Sequence, residues 1–269
     1  MTSSTTERVT CTIDGGVADV RLNRAAKHNG LDPAMFDAIV EVGRGLLDDR
    51  SLRAVVLSGE GPSFCAGLDF KAFMTGGPAV RDKLLGRSDD SIANLAQRVA
   101  WIWTEIPVPV IAAIHGACVG GGLQIALAAD LRIVHPDTKL AVREIVWGLI
   151  PDMSISKTLA RLVRLDVAKE LTFTGREFDG REAATLGLAT RLAEDPRAVA
   201  GALAEEIAGH SPDAIRAAKR LWNQAPQLDD AAALKLETEL QVPLLGGRNQ
   251  LEAVQARFMK RAPKFEDPQ

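Results

Sequence analysis

The stretch Val110-Ile111-Ala112-Ala113-Ile114-His115-Gly116-Ala117-Cys118-Val119-Gly120-Gly121-Gly122-Leu123 decides the fold class. Pro107 and Pro109 punctuate the chain just before it, and five apolar residues follow without a polar break. Such a run reads as a strand buried on both faces. The glycines after it let the backbone turn sharply and approach a ligand closely. Residues 123–129 then read as a short apolar helix, whose unpaired N-terminal N–H groups and dipole favour negative charge. A second turn of this kind, Ser63-Phe64-Cys65-Ala66-Gly67-Leu68-Asp69, follows another buried run at residues 53–57. Two such turns can aim two N–H donors at one carbonyl oxygen, which is an oxyanion hole.

Outward from these turns, strands and helices alternate. Residues 8–14 and 17–22 alternate in polarity around Asp14-Gly15-Gly16, the signature of a hairpin. Residues 31–47 have helical spacing, with Asp32 as N-cap and Pro33 in the first turn. Residues 76–91 read as a mobile connection, and 92–105 as a helix. Residues 131–134 and 139–142 read as strands, and 154–163 and 167–174 as helices. From Pro196 onward only helical patterns occur, over 197–209, 212–223, 229–241 and 247–260. The alternation implies an α/β core over residues 1–195, and the remainder a helical C-terminal region over 196–269.

Composition narrows the function. The chain has 269 residues, 46% hydrophobic and 25% charged, with a net charge of −3, which fits a globular protein and excludes collagen, coiled coil and disorder. That charge leaves no whole-chain basic footprint for nucleic acid. There is no tyrosine. The chain resembles a short-chain dehydrogenase in length, but the Tyr-x-x-x-Lys chemistry of that family is impossible here. Three cysteines, Cys11, Cys65 and Cys118, without a CxxC pair, fit reduced cytoplasmic thiols rather than a disulfide framework or a zinc ribbon. Residues 1–7 form a polar tail without the apolar segment of a signal peptide. No run of about 18 apolar residues exists, so no membrane span is expected. His28, His115, His135 and His210 show no metal-ligand spacing, and the triple glycine lacks the Lys-Ser/Thr of a P-loop. No metal site is expected.

The two glycine turns and their surroundings resemble the crotonase superfamily, the enoyl-CoA hydratase/isomerase family. Leu22-Asn23-Arg24 with Asn29-Gly30-Leu31 resembles its early motif, and Phe64 through Asp69 its first oxyanion loop. Val110 through Gly122 resembles the second, and Ala128-Ala129-Asp130-Leu131-Arg132 its continuation. Later matches are Glu170 through Gly175, Ala183 through Leu188, and the C-terminal Lys260-Arg261-Ala262-Pro263-Lys264-Phe265. The resemblance implies a spiral of ββα units with a helical C-terminal region, assembled as a homotrimer or a dimer of trimers. It implies an acyl-CoA thioester as substrate, with coenzyme A as part of that substrate and no separate cofactor. Backbone N–H groups of Leu68 and Gly121 would form the oxyanion hole. Ala66, Asp69 and Phe70 would lie along the adenine and pantetheine path. Arg24, Lys71, Lys260 and Arg261 would meet the CoA phosphates, the last two from a neighbouring subunit.

The carboxylates bear on the reaction. Hydratases of the family resemble one another in carrying two glutamates, one after the triple glycine and one about 20 residues later. Here those places hold Gln124 and Glu144. Gln cannot gain or lose a proton near neutral pH, although it can orient water or substrate. Glu144 lies in an otherwise apolar segment, which predicts a desolvated carboxylate with a raised pKa. Asp152 follows eight residues on, a spacing that resembles the dienoyl-CoA isomerase branch, although that branch has Asp where Gln124 stands. Competing structural roles are a helix cap for Asp152 and an ion pair of Glu144 with Arg143 or Arg132. The expected function is double-bond isomerisation of an enoyl- or dienoyl-CoA. Its alternatives are hydration of a 2-enoyl-CoA and acyl-CoA binding with little turnover.

Overall fold

A computed structural model describes residues 2–5, 7–87 and 91–268. In chain order its elements are β1 (Thr2–Thr5), β2 (Val9–Asp14), β3 (Val17–Leu22), α1 (Pro33–Leu47), β4 (Ala54–Gly59), α2 (Phe70–Leu85) and α3 (Leu95–Glu105). Next come β5 (Val110–Ile114), β6 (Ala117–Val119), α4 (Gly121–Leu127), β7 (Leu131–Val134), β8 (Lys139–Ala141) and α5 (Ile155–Thr158). The chain ends with α6 (Leu165–Thr174), α7 (Gly180–Leu186), β9 (Arg191–Leu192), α8 (Pro196–Ala208), α9 (Pro212–Gln224), α10 (Asp230–Gln241) and α11 (Arg248–Phe258).

The large sheet runs β1-β2-β3-β4-β5-β7-β9. Its first two pairings are antiparallel and the other four are parallel. The chain winds as a spiral. Each turn lays one strand in this sheet, makes a short contact in a second line, and returns through helix. The second line is the β6–β8 pair, extended by the isolated bridges Leu31–Leu68, Cys65–Cys118 and Leu140–Phe178. A parallel neighbour requires a crossover connection, and α1 and the α2–α3 pair supply two of them.

The central strands are apolar throughout because both of their faces are covered. Val55, Leu57, Val110, Ala112 and Ile114 pack toward α1, α3 and α4. Ala54, Val56, Ile111, Ala113 and Ile133 pack beneath Ala200 and Ala204 of α8. Helix α1 starts where its sequence predicts: Asp32 accepts from the Met35 N–H at 2.8 Å, and Pro33 occupies the first turn. It buries Phe36 and Ile39 in the main core, where each such side chain contributes about 1.5–3 kcal/mol.

Three segments differ from the sequence expectation. Residues 76–91 are not an irregular connection through most of their length. Helix α2 occupies Phe70–Leu85, because Asp69 caps its start and Phe70, Phe73 and Met74 recur at helical spacing. The glycine and proline that obscured it mark a kink, with Gly77 at φ 60° followed by Pro78; residues 88–90 lie outside the described chain. The expected polar tail contributes an edge strand, β1, held by backbone pairing to β2, while Met1 and Thr6 lie outside the described residues. Residues 154–163 form α5 and then a tight 3-10 turn at Leu159–Arg161 instead of one helix.

Beyond the sheet, α9 is fastened by Lys219, which is only 8% exposed. Its ammonium donates to the Trp103 and Val108 carbonyls and to Asp130 Oδ2, the last at 2.6 Å. The three cysteines are free and buried. Among the described residues no helix is long and apolar enough to cross a membrane.

Candidate active site

The two glycine turns are laced together by main-chain hydrogen bonds. Phe64 N–H donates to His115 O, Cys65 N–H to Ala117 O, and Val119 N–H to Cys65 O, all at 2.9–3.0 Å. On the other side Leu31 N–H donates to Gly67 O and Asp69 N–H donates to Leu31 O. Between these bonds the Leu68 N–H has no acceptor among the described residues, and neither does the Gly121 N–H at the start of α4.

The close approach depends on glycine. Gly67 has φ +88°, and a Cβ built on it would stand 2.7 Å from Val119 O and 3.7 Å from Gly121 N. A Cβ on Gly122 would stand 2.3 Å from Cys65 O. Both unpaired amides therefore border one cavity of about 600 Å³, lined by Ala66, Leu68, Phe70, Gly121, Gln124, Glu144 and Asp152 among others. The sequence-predicted oxyanion donors, both acid–base candidates and Gln124 meet there.

Glu144 begins the 3-10 turn Glu144–Trp147 that follows β8. A Cβ on Gly120 would lie 3.1 Å from its Oε1, so the carboxylate sits against the second glycine turn. Gln124 Nε2 donates to Oε1 at 2.6 Å, while Oε2 is buried and has no hydrogen-bond partner among the described residues. Burial pushes the Glu144 carboxyl above the ordinary carboxylate range, the Asp152 charge adds to that, and the Gln124 hydrogen bond opposes it. Burial also raises the Asp152 carboxyl.

The competing structural roles are not taken up. Ser154, not Asp152, is the N-cap of α5, and its side chain makes no capping bond. Arg143 donates to Gly175 O and faces Glu177, and Arg132 donates to the Leu188 and Ala129 carbonyls, so neither arginine pairs with Glu144.

The cationic candidates lie apart from the cavity lining. Arg24 donates to Gly30 O and to Asp69 Oδ2 at 2.8 Å and also faces Asp32. Asp69 accepts from Arg24 and from the Ala72 N–H, and both hold its carboxyl below its ordinary value. Lys71 is exposed on the first turn of α2. Lys260 and Arg261 follow α11, where Arg261 is bound to Glu252 by two hydrogen bonds.

Several lining residues had no sequence signal of a site. Phe36 and Phe73 form an edge-to-face pair with centroids 5.6 Å apart, and both line the cavity wall. Trp147 and Phe70, both in the lining, have ring centroids 4.3 Å apart. The helical spacing of α1 and α2 marks the first pair only as apolar, and nothing in the sequence around Trp147 points to its partner.

A sequence model of the family described as enoyl-CoA hydratase/isomerase matches residues 12–268. The chain belongs to the enoyl-CoA hydratase/isomerase family. It is 32% identical over 260 residues to the bovine protein named enoyl-CoA hydratase domain-containing protein 2, mitochondrial, covering 93% of this chain and 84% of that one. It is 30% identical over 257 residues to human methylglutaconyl-CoA hydratase, mitochondrial, covering 93% and 74%. Its fold matches the crystal structure of enoyl-CoA hydratase from Bacillus anthracis with a TM-score of 0.85 at 28% identity, covering 96% of this chain and 98% of that one. The crotonase fold that the resemblance implied is thus the fold of this family member.

Proposed function

We propose that this family member shifts double bonds of an enoyl- or dienoyl-CoA. One observation carries the reading. Glu144 and Asp152 are the two carboxylates of the cavity lining among the described residues, and position 124 contributes an amide already bonded to Glu144.

The thioester carbonyl accepts from the Leu68 and Gly121 N–H groups. Glu144 takes a proton from the carbon chain onto its carboxylate. The C–H electron pair becomes a carbon–carbon double bond, and the carbonyl π pair moves onto the thioester oxygen. That oxygen is then an anion held by two fixed donors, each worth about 3–4 kcal/mol at the transition state. Collapse of the enolate draws a proton onto a different carbon, from Glu144 for a near carbon or from Asp152 for a distal one. The raised pKa of both carboxyls brings them closer to neutrality, where an acid–base group exchanges protons most effectively.

The apolar wall of Phe36, Phe73, Met74, Val80, Leu84 and Leu85 supports an apolar acyl group. Ala66 and Phe70 line the cavity at the first loop and suit the pantetheine path. Lys71, with Lys260 and Arg261 of a neighbouring copy, is assigned to the CoA phosphates; the bonds of Arg24 support a role in bracing the first loop. Exposed Trp222, Val242, Leu245 and Phe258 on and between α9 and α11 support association into trimers. Free buried thiols support a cytoplasmic site of action.

Hydration is the second reading, favoured by the names of the relatives. Separate incubation with a 2-enoyl-CoA and a 3,5-dienoyl-CoA, followed by product analysis, tests both. Double-bond migration is expected. Rapid formation of a 3-hydroxyacyl-CoA without migration would establish hydration instead, and tight binding without turnover would leave only acyl-CoA capture. Asp152→Asn is expected to keep proton exchange at the first carbon while losing delivery to the distal one.

A further inference from the structure

The geometry points to Gln124 as a positioning residue. It ties the Glu144 carboxylate to the backbone that carries Asp152, and it thereby fixes the two acid–base groups relative to each other. The inference rests on the reading of Glu144 as the base.

Gln124 is 1% exposed, on a helix buried along its whole length. Its carbonyl oxygen accepts from the Met153 N–H at 2.9 Å, and its Nε2 donates to Glu144 Oε1 at 2.6 Å. The direction of the amide is forced. A backbone N–H can only donate, so the end facing Met153 must be the oxygen, and the NH₂ end must face Glu144.

That direction has a chemical consequence. The amide fixes the carboxylate against the second glycine turn and favours its ionised form, the form that accepts a proton. The Met153 bond extends the control to the second carboxylate, because Asp152 is the residue before it. A single side chain therefore sets the positions of both acid–base groups without touching the reacting atoms.

Two substitutions separate the ends of this tie. Gln124→Glu retains an acceptor for Met153 N–H but places a second carboxyl against Glu144. Two carboxyls at that distance share one proton, so one of them titrates at a higher pH. Gln124→Met keeps the length and removes both bonds. The readout is deuterium incorporation from solvent into acyl-CoA carbons, followed across the acid and neutral range. Thermal melting of each variant and Glu144→Gln serve as references.

The acid limb of the exchange profile should move up by about one pH unit or more in Gln124→Glu, with KM nearly unchanged. In Gln124→Met, delivery to the distal carbon should fall more than exchange at the first. An unshifted limb in a folded Gln124→Glu protein, with Glu144→Gln inactive, would overturn the role of Gln124 and leave Glu144 as the base. Full exchange by Glu144→Gln would overturn the reading of Glu144 itself. If Gln124→Met fails to fold, the Gln124→Glu profile decides alone, since it retains the Met153 bond.

Discussion

Gly67→Ala tests whether the spacing of the two loops creates the anion site. The added Cβ enters a left-handed backbone at φ +88° and meets Val119 O at 2.7 Å. The left-handed conformation costs about 1–2 kcal/mol for a residue with a Cβ. Crowding of a packed site adds about 1–3 kcal/mol. Together they lower stability by about 2–5 kcal/mol, which at about 2–4 °C per kcal/mol is a fall in Tm of roughly 4–20 °C. Relief of the clash must separate Gly67 from the Val119–Gly121 backbone, so the Leu68 and Gly121 amides no longer converge. Loss of one such donor costs about 100- to 1000-fold in turnover. Gly201→Ala is the matched control, because its Cβ would meet nothing within 4 Å in the interior of α8; it should gain about 0.5–1 kcal/mol and keep full activity. Calorimetry and solvent-exchange kinetics on both variants give the answer. A folded Gly67→Ala protein with wild-type exchange rates would refute the reasoning that close loop approach forms the site.

Activity should fall as pH drops through a value above the ordinary carboxylate range, because Glu144 must be ionised to accept a proton and burial raises its pKa. The sign for stability is opposite: the folded protein takes up that proton before the unfolded chain does, so the Glu144 contribution becomes more favourable as pH falls through the folded pKa. Melting curves of the wild type and Glu144→Gln across that range should converge at low pH. Lys219→Met should lower Tm by roughly 6–12 °C, from about 3 kcal/mol lost when a buried ion pair loses one partner. It leaves Asp130 and the Trp103 and Val108 carbonyls without the ammonium. An unchanged melt would show that α9 is held by its apolar contacts instead.

The site was legible where local sequence dictates backbone shape. Gly67 and the triple glycine mark loops whose geometry admits nothing larger, and Asp32-Pro33 marks the start of α1. Helix α2 was obscured because Gly77-Pro78 breaks a helical pattern that resumes beyond it. The second line of pairing was hidden because it consists largely of single bridges, too short for a period-2 pattern. Gln124 was visible as a departure from the hydratase pattern, but its task was not. Its two partners come from residues 20 and 29 positions further along the chain, and one of them is a main-chain N–H that no side-chain pattern reports. Arg24 was legible as a charge, whereas its commitment to Asp69 and Gly30 depends on the folded path of the first loop.

The lacing of the two glycine turns by backbone bonds divides the site into parts that can change independently. The proposed socket for the anion is specified by peptide groups, which every residue type carries. The proposed proton-handling chemistry rests on side chains at 144 and 152 and on the amide at 124, none of which takes part in the main-chain bonds between residues 64–65 and 115–119. Exchanging those side chains can therefore change where protons are removed and returned while the proposed socket for the enolate oxygen survives. A scaffold partitioned in this way can acquire a new reaction through a few substitutions, without passing through an inactive fold.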